Sequence, residues 1–260
     1  MRPVCLRDKD AIEKLLRSDD VFLHLYEIGD LDDFFWPQAT YYTLPGRGSR
    51  PILLLYDGLT VPCLLGLTGI SIQLMKKLLF SIIPLLPKRL YAHLNEGLST
   101  LLENHYQVQS HGIHFKMGLT DYSKLEGIDT SEVVRLTEKD LPALEKLYGI
   151  SYPEHWFEPH MLQFGQYFGV RRNKNLVSVA GIHIHSERYK LAALGNIATH
   201  PDYRGRGLAK ASCAKLCQEL IQTVDHIGLN VKADNEIAIR CYQKLGFERV
   251  ACYEECMLES

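Results

Sequence analysis

The stretch "HPDYRGRGLAKA", residues 200–211, sets Arg204, Gly205, Arg206 and Gly207 directly ahead of a run with helical periodicity. Glycine permits positive φ and lets a ligand come close to the backbone. The free amides at a helix N-terminus converge there with the positive end of the helix dipole. Together these features make a device for holding phosphate, to which Arg204, Arg206 and Lys210 add positive charge. A near copy, "LPGRGSR" at 44–50, runs instead into Pro51 and a strand-like segment, so it offers no helix N-terminus and reads as a hairpin loop. No Gly-Lys-Ser/Thr ending follows either stretch, which argues against a nucleotide hydrolase.

The elements around the phosphate loop are regular from Val133 onward. The order is a strand, the helix "LTEKDLPALEKLY" with Thr137 and Asp140 at its start, and a second helix in the aromatic stretch "SYPEHWFEPHMLQF". A hairpin turning at Asn173 to Asn175 follows, then the strand "KLAALGNIATH", the loop and its helix, the strand "HIGLNVKAD", the helix "NEIAIRCYQKLGF" and the closing strand "ERVACYEECML". An antiparallel meander joined to one β-α-β crossover implies an α/β unit with helices packed on a mixed sheet.

"NIATHPDYRGRGLAKA" resembles the acyl-CoA motif of the GNAT superfamily of N-acetyltransferases, Arg/Gln-x-x-Gly-x-Gly/Ala, filled here by Arg204, Gly207 and Ala209. The segment "NEIAIRCYQKLGF" is similar to the family's second motif at Asn235, Ala238, Tyr242, Lys244, Gly246 and Phe247. The resemblance covers residues 132–260 and implies acetyl-CoA as acyl donor and co-substrate, with no metal. It places the pantetheine arm along Ile197, Ala198 and Thr199. The pyrophosphate falls on the loop Arg204, Gly205, Arg206, Gly207, Leu208, Ala209 and Lys210, and Asn235, Ala238 and Tyr242 complete the donor site.

Acyl transfer to an amine requires an amine stripped of its proton, a stabilised oxyanion and a proton for the leaving thiolate. By the resemblance Tyr242 is the acid, although Ile237, Ala238, Cys241, Tyr242 and Leu245 also read as one core-facing stripe. Asn235 reads as the cap of this helix. Glu154 and His185 are the leading base candidates, with His155 and His183 behind them. Asn196 faces either the acceptor or a strand-end hydrogen bond.

Residues 1–125 echo the same order without either motif, with helices at 8–18, 21–34, 71–83 and 95–105 and strands at 40–44, 51–57, 61–67, 88–93 and 106–118. This suggests a degenerate GNAT-like first half, joined through 120–132 to the acetyltransferase domain 132–260. Its stretch "YEIGDLDDFFWP" reads as a solvated helix face backed by aromatics.

Charge is even, 13 Lys/Arg against 15 Asp/Glu up to residue 130 and 16 against 16 beyond it, which excludes a basic nucleic-acid surface. Seven cysteines without paired CxxC motifs, and Cys213 and Cys217 within an apolar stripe, point to a reduced, cytoplasmic setting and to core packing rather than metal. Neither a signal peptide nor an 18-residue apolar span is expected, so no membrane partner is either. The expected activity is direct acetyl transfer to a primary amine in a ternary complex, in a monomer or homodimer. The alternatives are a non-catalytic acyl-CoA-binding regulator and a longer-chain acyltransferase.

Overall fold

The computed structural model describes residues 2–46, 48–153 and 156–260. Its elements begin with β1 (Val4–Leu6), α1 (Lys9–Asp19), α2 (Leu25–Gly29), β2 (Ala39–Thr43), β3 (Ile52–Tyr56), β4 (Cys63–Gly66), α3 (Ile72–Ile82), β5 (Arg89–Leu94) and β6 (Gln107–Leu119). They continue with β7 (Val133–Arg135), α4 (Leu141–Ser151), β8 (Phe168–Arg172), β9 (Asn175–Ser186), β10 (Leu191–Thr199), α5 (Leu208–Leu220), β11 (His226–Lys232), α6 (Glu236–Gln243) and β12 (Phe247–Glu259). Packing divides the chain into two compact units: Met1–Met117 with Val231–Asp234 and Arg249–Ser260, and Gly118–Asn230 with Asn235–Glu248. Residues 249–260, read from sequence as the closing strand of the second half, therefore pack with the first.

In the first unit the strands lie in the order β1-β2-β3-β4-β5-β12-β6. Here β4 and β5 pair parallel, joined by α3, while antiparallel pairs run from β1 to β4 and between β5 and β12. In α3, Met75, Leu78, Leu79 and Ile82 recur at helical spacing and are buried against the strands, while Ser71 caps the N-terminus by accepting the Leu74 amide at 3.3 Å.

The second unit repeats this plan in the order β11-β10-β9-β8-β7, with β10 and β11 parallel around α5 and the rest antiparallel. Asn173 (φ 49) and Lys174 (φ 69) form the two-residue turn of the β8–β9 hairpin, both left-handed as such turns require. Consecutive burial from Leu176 to Ile182 means that both faces of β9 are covered, by α4 and α5. Thr137, expected to cap α4, instead caps a 3-10 turn at Glu138–Asp140 that leads into it, and the Asp140 carboxylate accepts the Thr137 amide at 2.8 Å.

Four expectations need correction. The helix expected at 95–105 is only a 3-10 turn at Ser99–Leu102, because Gly97 (φ 80) interrupts it and Asn95 is engaged with the backbone of Thr68. The aromatic stretch likewise makes a 3-10 turn, Pro159–Phe164, stopped by Gly165 at φ 66. The helix expected at 21–34 is confined to α2, and Glu27 and Asp30 are buried rather than solvated. Glu27 finds His24 as a partner, and its carbonyl accepts the Tyr41 hydroxyl at 2.7 Å. Finally, Ile237 is 78% exposed and lies off the apolar face of α6. Among the described residues no helix is long and apolar enough to cross a membrane.

Candidate active site

The site grows from an irregularity in β10. The β10–β11 ladder ends at the pair Leu194–Leu229, and the β9–β10 register shifts between Gly195 and Ala198. Asn196 sits in that bulge at φ 54, a left-handed conformation that asparagine tolerates better than other residues with a side chain. The conformation is held from several sides. Tyr148 donates its hydroxyl to the Asn196 carbonyl at 2.8 Å, while the Asn196 amide donates to Tyr167 Oη at 2.9 Å and approaches Met161 Sδ at 3.5 Å. Tyr167 in turn donates to the Ile182 carbonyl at 3.0 Å. Asn196 is 3% exposed, so it anchors the bulge from within and does not face an acceptor.

Beyond the bulge, the backbone of Ile197, Ala198 and Thr199 lies past the end of the parallel ladder. Thr199 is fixed by Ser178, with 3.0 Å between their hydroxyl oxygens, and its carbonyl accepts Arg204 Nε at 3.2 Å. Arg206 donates to the Asp202 carbonyl at 3.0 Å and lies over the Tyr203 ring. The two arginines thus brace the loop as well as charging it. Gly205 (φ 75) and Gly207 (φ 77) are left-handed, and nothing lies within 4 Å of where a Cβ would stand at either. α5 then starts at Leu208 without any side-chain cap, which leaves the amides of its first turn, through Ala209 and Lys210, available to an outside acceptor. A phosphate fits this cradle.

The equivalent turn of the first unit is closed. There the Gly69 amide points at the Asp19 carboxylate, 3.1 and 2.9 Å from its two oxygens, Thr68 Oγ1 approaches the same group at 3.3 Å, and Ser71 caps α3. The chain supplies its own anion at this position. The "LPGRGSR" copy is the hairpin loop between β2 and β3, with Arg47 outside the described residues.

On α6, Asn235 Oδ1 accepts the Ala238 amide at 3.2 Å, the capping bond expected of it. Gly246 (φ 96) ends the helix where any Cβ would come within 2.0 Å of the Asp121 carbonyl oxygen. Tyr242 is 8% exposed, and burial, with Cys213 and Cys241 nearby, pushes its pKa well above the usual tyrosine value. Cys213 and Cys217 are buried thiols whose pKa burial raises.

The base candidates separate. His185 pairs with Ala192, four residues before the bulge, whereas the His183 ring packs on Gly195, where a Cβ would come within 2.4 Å of it. His183 thus lies next to the bulge and His185 roughly 13 Å along the strand from Asn196, at about 3.3 Å per residue. Glu154 and His155 lie outside the described residues. Sequence reasoning missed Tyr148 and Tyr167, because no motif separates them from other core tyrosines and only their hydroxyl bonds at the bulge mark them.

Residues 132–247 match the family model described as the Acetyltransferase (GNAT) family. An acetyltransferase of Pectobacterium atrosepticum is 42% identical over 57 residues, 22% of this chain and 40% of that relative, so the chain spans about two fifths of its length. A solved Drosophila protein aligns over 100% of this chain and 98% of its own at TM-score 0.69 and 12% identity. A tandem GNAT protein from the clavulanic acid biosynthesis pathway aligns over 98% and 97% at TM-score 0.57 and 12% identity. These likenesses establish the fold, a mixed α/β sheet flanked by helices.

Proposed function

We propose that this chain, whose residues 132–247 form a GNAT-family domain, is an acyltransferase that moves an acetyl group from acetyl-CoA directly to a primary amine. The observation that carries the reading is the uncapped start of α5 behind two left-handed glycines, placed directly after a strand that has left its parallel neighbour.

In this reading the diphosphate of acetyl-CoA takes hydrogen bonds from the first-turn amides of α5, and the pantetheine runs along residues 197–199 where the β10–β11 ladder has ended. A backbone amide at the bulge supports the oxyanion as the amine attacks the thioester carbonyl. Collapse of the tetrahedral intermediate expels the CoA thiolate, and the Tyr242 hydroxyl donates a proton to it. His183, beside Gly195, is better placed than His185 to take the proton of the amine, and Glu154 remains a candidate. A cytoplasmic setting suits the pool of acetyl-CoA and the free thiols.

The test is a calorimetric titration of acetyl-CoA into the wild type, Gly207→Glu and Arg206→Glu, with melting temperatures as controls for folding. Micromolar binding by the wild type that both folded variants lose supports the reading, and absence of binding by the wild type overturns it. Amine-dependent CoA release then separates an enzyme from a regulator that only binds CoA, and acetyl, hexanoyl and myristoyl donors distinguish acyl length.

A further inference from the structure

We propose that the first unit carries a second ligand site, between α2 and strands β5 and β6, that takes the ammonium-and-carboxylate end of an α-amino acid. It is independent of the acetyl-CoA reading.

The argument begins with two buried charges that lack complete partners. Lys116 on β6 is 3% exposed and lies over the rings of Tyr26 at 5.0 Å and Tyr253 at 5.5 Å, yet it makes no ion pair or hydrogen bond among the described residues. Glu27 on α2 is fully buried; one carboxylate oxygen meets His24 at 3.3 Å and the other, Oε2, has no partner among the described residues. The two feel each other's charge without touching. Buried charges left open in this way are costly, and proteins usually pair them.

Two imidazole nitrogens on the same sheet face are open as well. His93 Nδ1 and His111 Nε2 are buried without a hydrogen-bond partner among the described residues. Ring contacts link them to the lysine: His111 with Tyr91 at 5.3 Å, Tyr91 with His93 at 5.6 Å, and His93 with Tyr253 at 5.2 Å. Burial holds the His93 pKa down to about 4, so this ring is uncharged at neutral pH; its Nε2 lies 3.5 Å from Glu255 and its Nδ1 is the open atom. Glu255, in the same cluster, is already engaged by the hydroxyls of Tyr91 and Tyr253, each at 2.5 Å.

A zwitterion answers both open charges and one of the imidazoles. Its carboxylate accepts from Lys116 and an imidazole N–H, and its ammonium donates to Glu27 Oε2. A simple carboxylate would leave Glu27 open, and a simple amine would leave Lys116 open.

The experiment is thermal-shift and calorimetric titration of the full chain with the standard α-amino acids, with propionate and ethylamine as half-molecules, repeated on Lys116→Met. The expected result is saturable binding of at least one amino acid that neither half-molecule reproduces. Lys116→Met should weaken it at least about tenfold, and the ring resonances of His93 and His111 should shift on binding. The proposal is overturned if no amino acid binds, if propionate binds equally well, or if a folded Lys116→Met binds unchanged. Should Lys116→Met fail to fold, the comparison with the half-molecules and the imidazole shifts decide.

Discussion

Tyr242, the proposed acid, is also a packing residue, its ring seated against Phe247. Tyr242→Phe should lower kcat about 100-fold while leaving acetyl-CoA affinity near its wild-type value, because only the transferable proton is lost. An unchanged kcat would remove the acid role. His24 allows a test by pH. Burial alone would lower its pKa, but Asp19 at 3.1 Å and Glu27 at 3.3 Å raise it to about 9, above the usual 6.5. A raised pKa means that the folded protein holds the proton more tightly than the unfolded chain. This stabilisation, on the order of 3 kcal/mol, is complete below about pH 6.5 and lost as pH rises through 9. Melting temperature should therefore fall between pH 6.5 and 9 in the wild type and much less in His24→Gln. A parallel fall in both proteins would contradict the assignment. The capping role of Asn235 was legible in the sequence because it depends on a neighbour three residues away. The pairing of His93 with Glu255 was not, because it depends on strands 162 residues apart in sequence.

At the scale of elements, two β-α-β crossovers of one plan have opposite endings. α5 keeps its first-turn amides open, whereas the turn into α3 is filled by Asp19 and capped by Ser71. Asp19→Asn should cost roughly 2 kcal/mol in urea unfolding, since it weakens charge-assisted bonds from Gly69 and His24 together; a loss below about 0.5 kcal/mol would mean the carboxylate contributes little. The bulge gives a second test. Tyr148→Phe removes the hydroxyl that holds the Asn196 carbonyl, and it should reduce kcat with little change in acetyl-CoA binding or melting temperature. If binding and kcat fall together, the tyrosine supports the strand as a whole and not the bulge in particular. The helices of both crossovers were readable from periodicity and turn chemistry. The helices expected at 95–105 and in the aromatic stretch were misread because the apolar residues at 99–102 and 159–164 serve tight turns that tertiary contacts shape, and periodicity cannot distinguish a 3-10 turn from a short helix.

At the scale of the molecule, the first unit is completed by residues 249–260, which bring Tyr253, Glu255, Cys256 and Leu258 into its interior beside β5. Each buried apolar side chain among them is worth roughly 1.5–3 kcal/mol. A chain ending at Glu248 should therefore lose the cooperative unfolding transition of the first unit, read by urea denaturation, and a transition of full amplitude would refute this. The arrangement also has a consequence for biosynthesis. The ribosome delivers β5 early, but β12 follows only after about 150 further residues, which at roughly 5–20 residues per second takes on the order of 10–30 s. Through that interval the hydrogen-bonding edge of β5 is without its antiparallel partner, so the nascent protein must be shielded from pairing with other chains until translation reaches the twelfth strand.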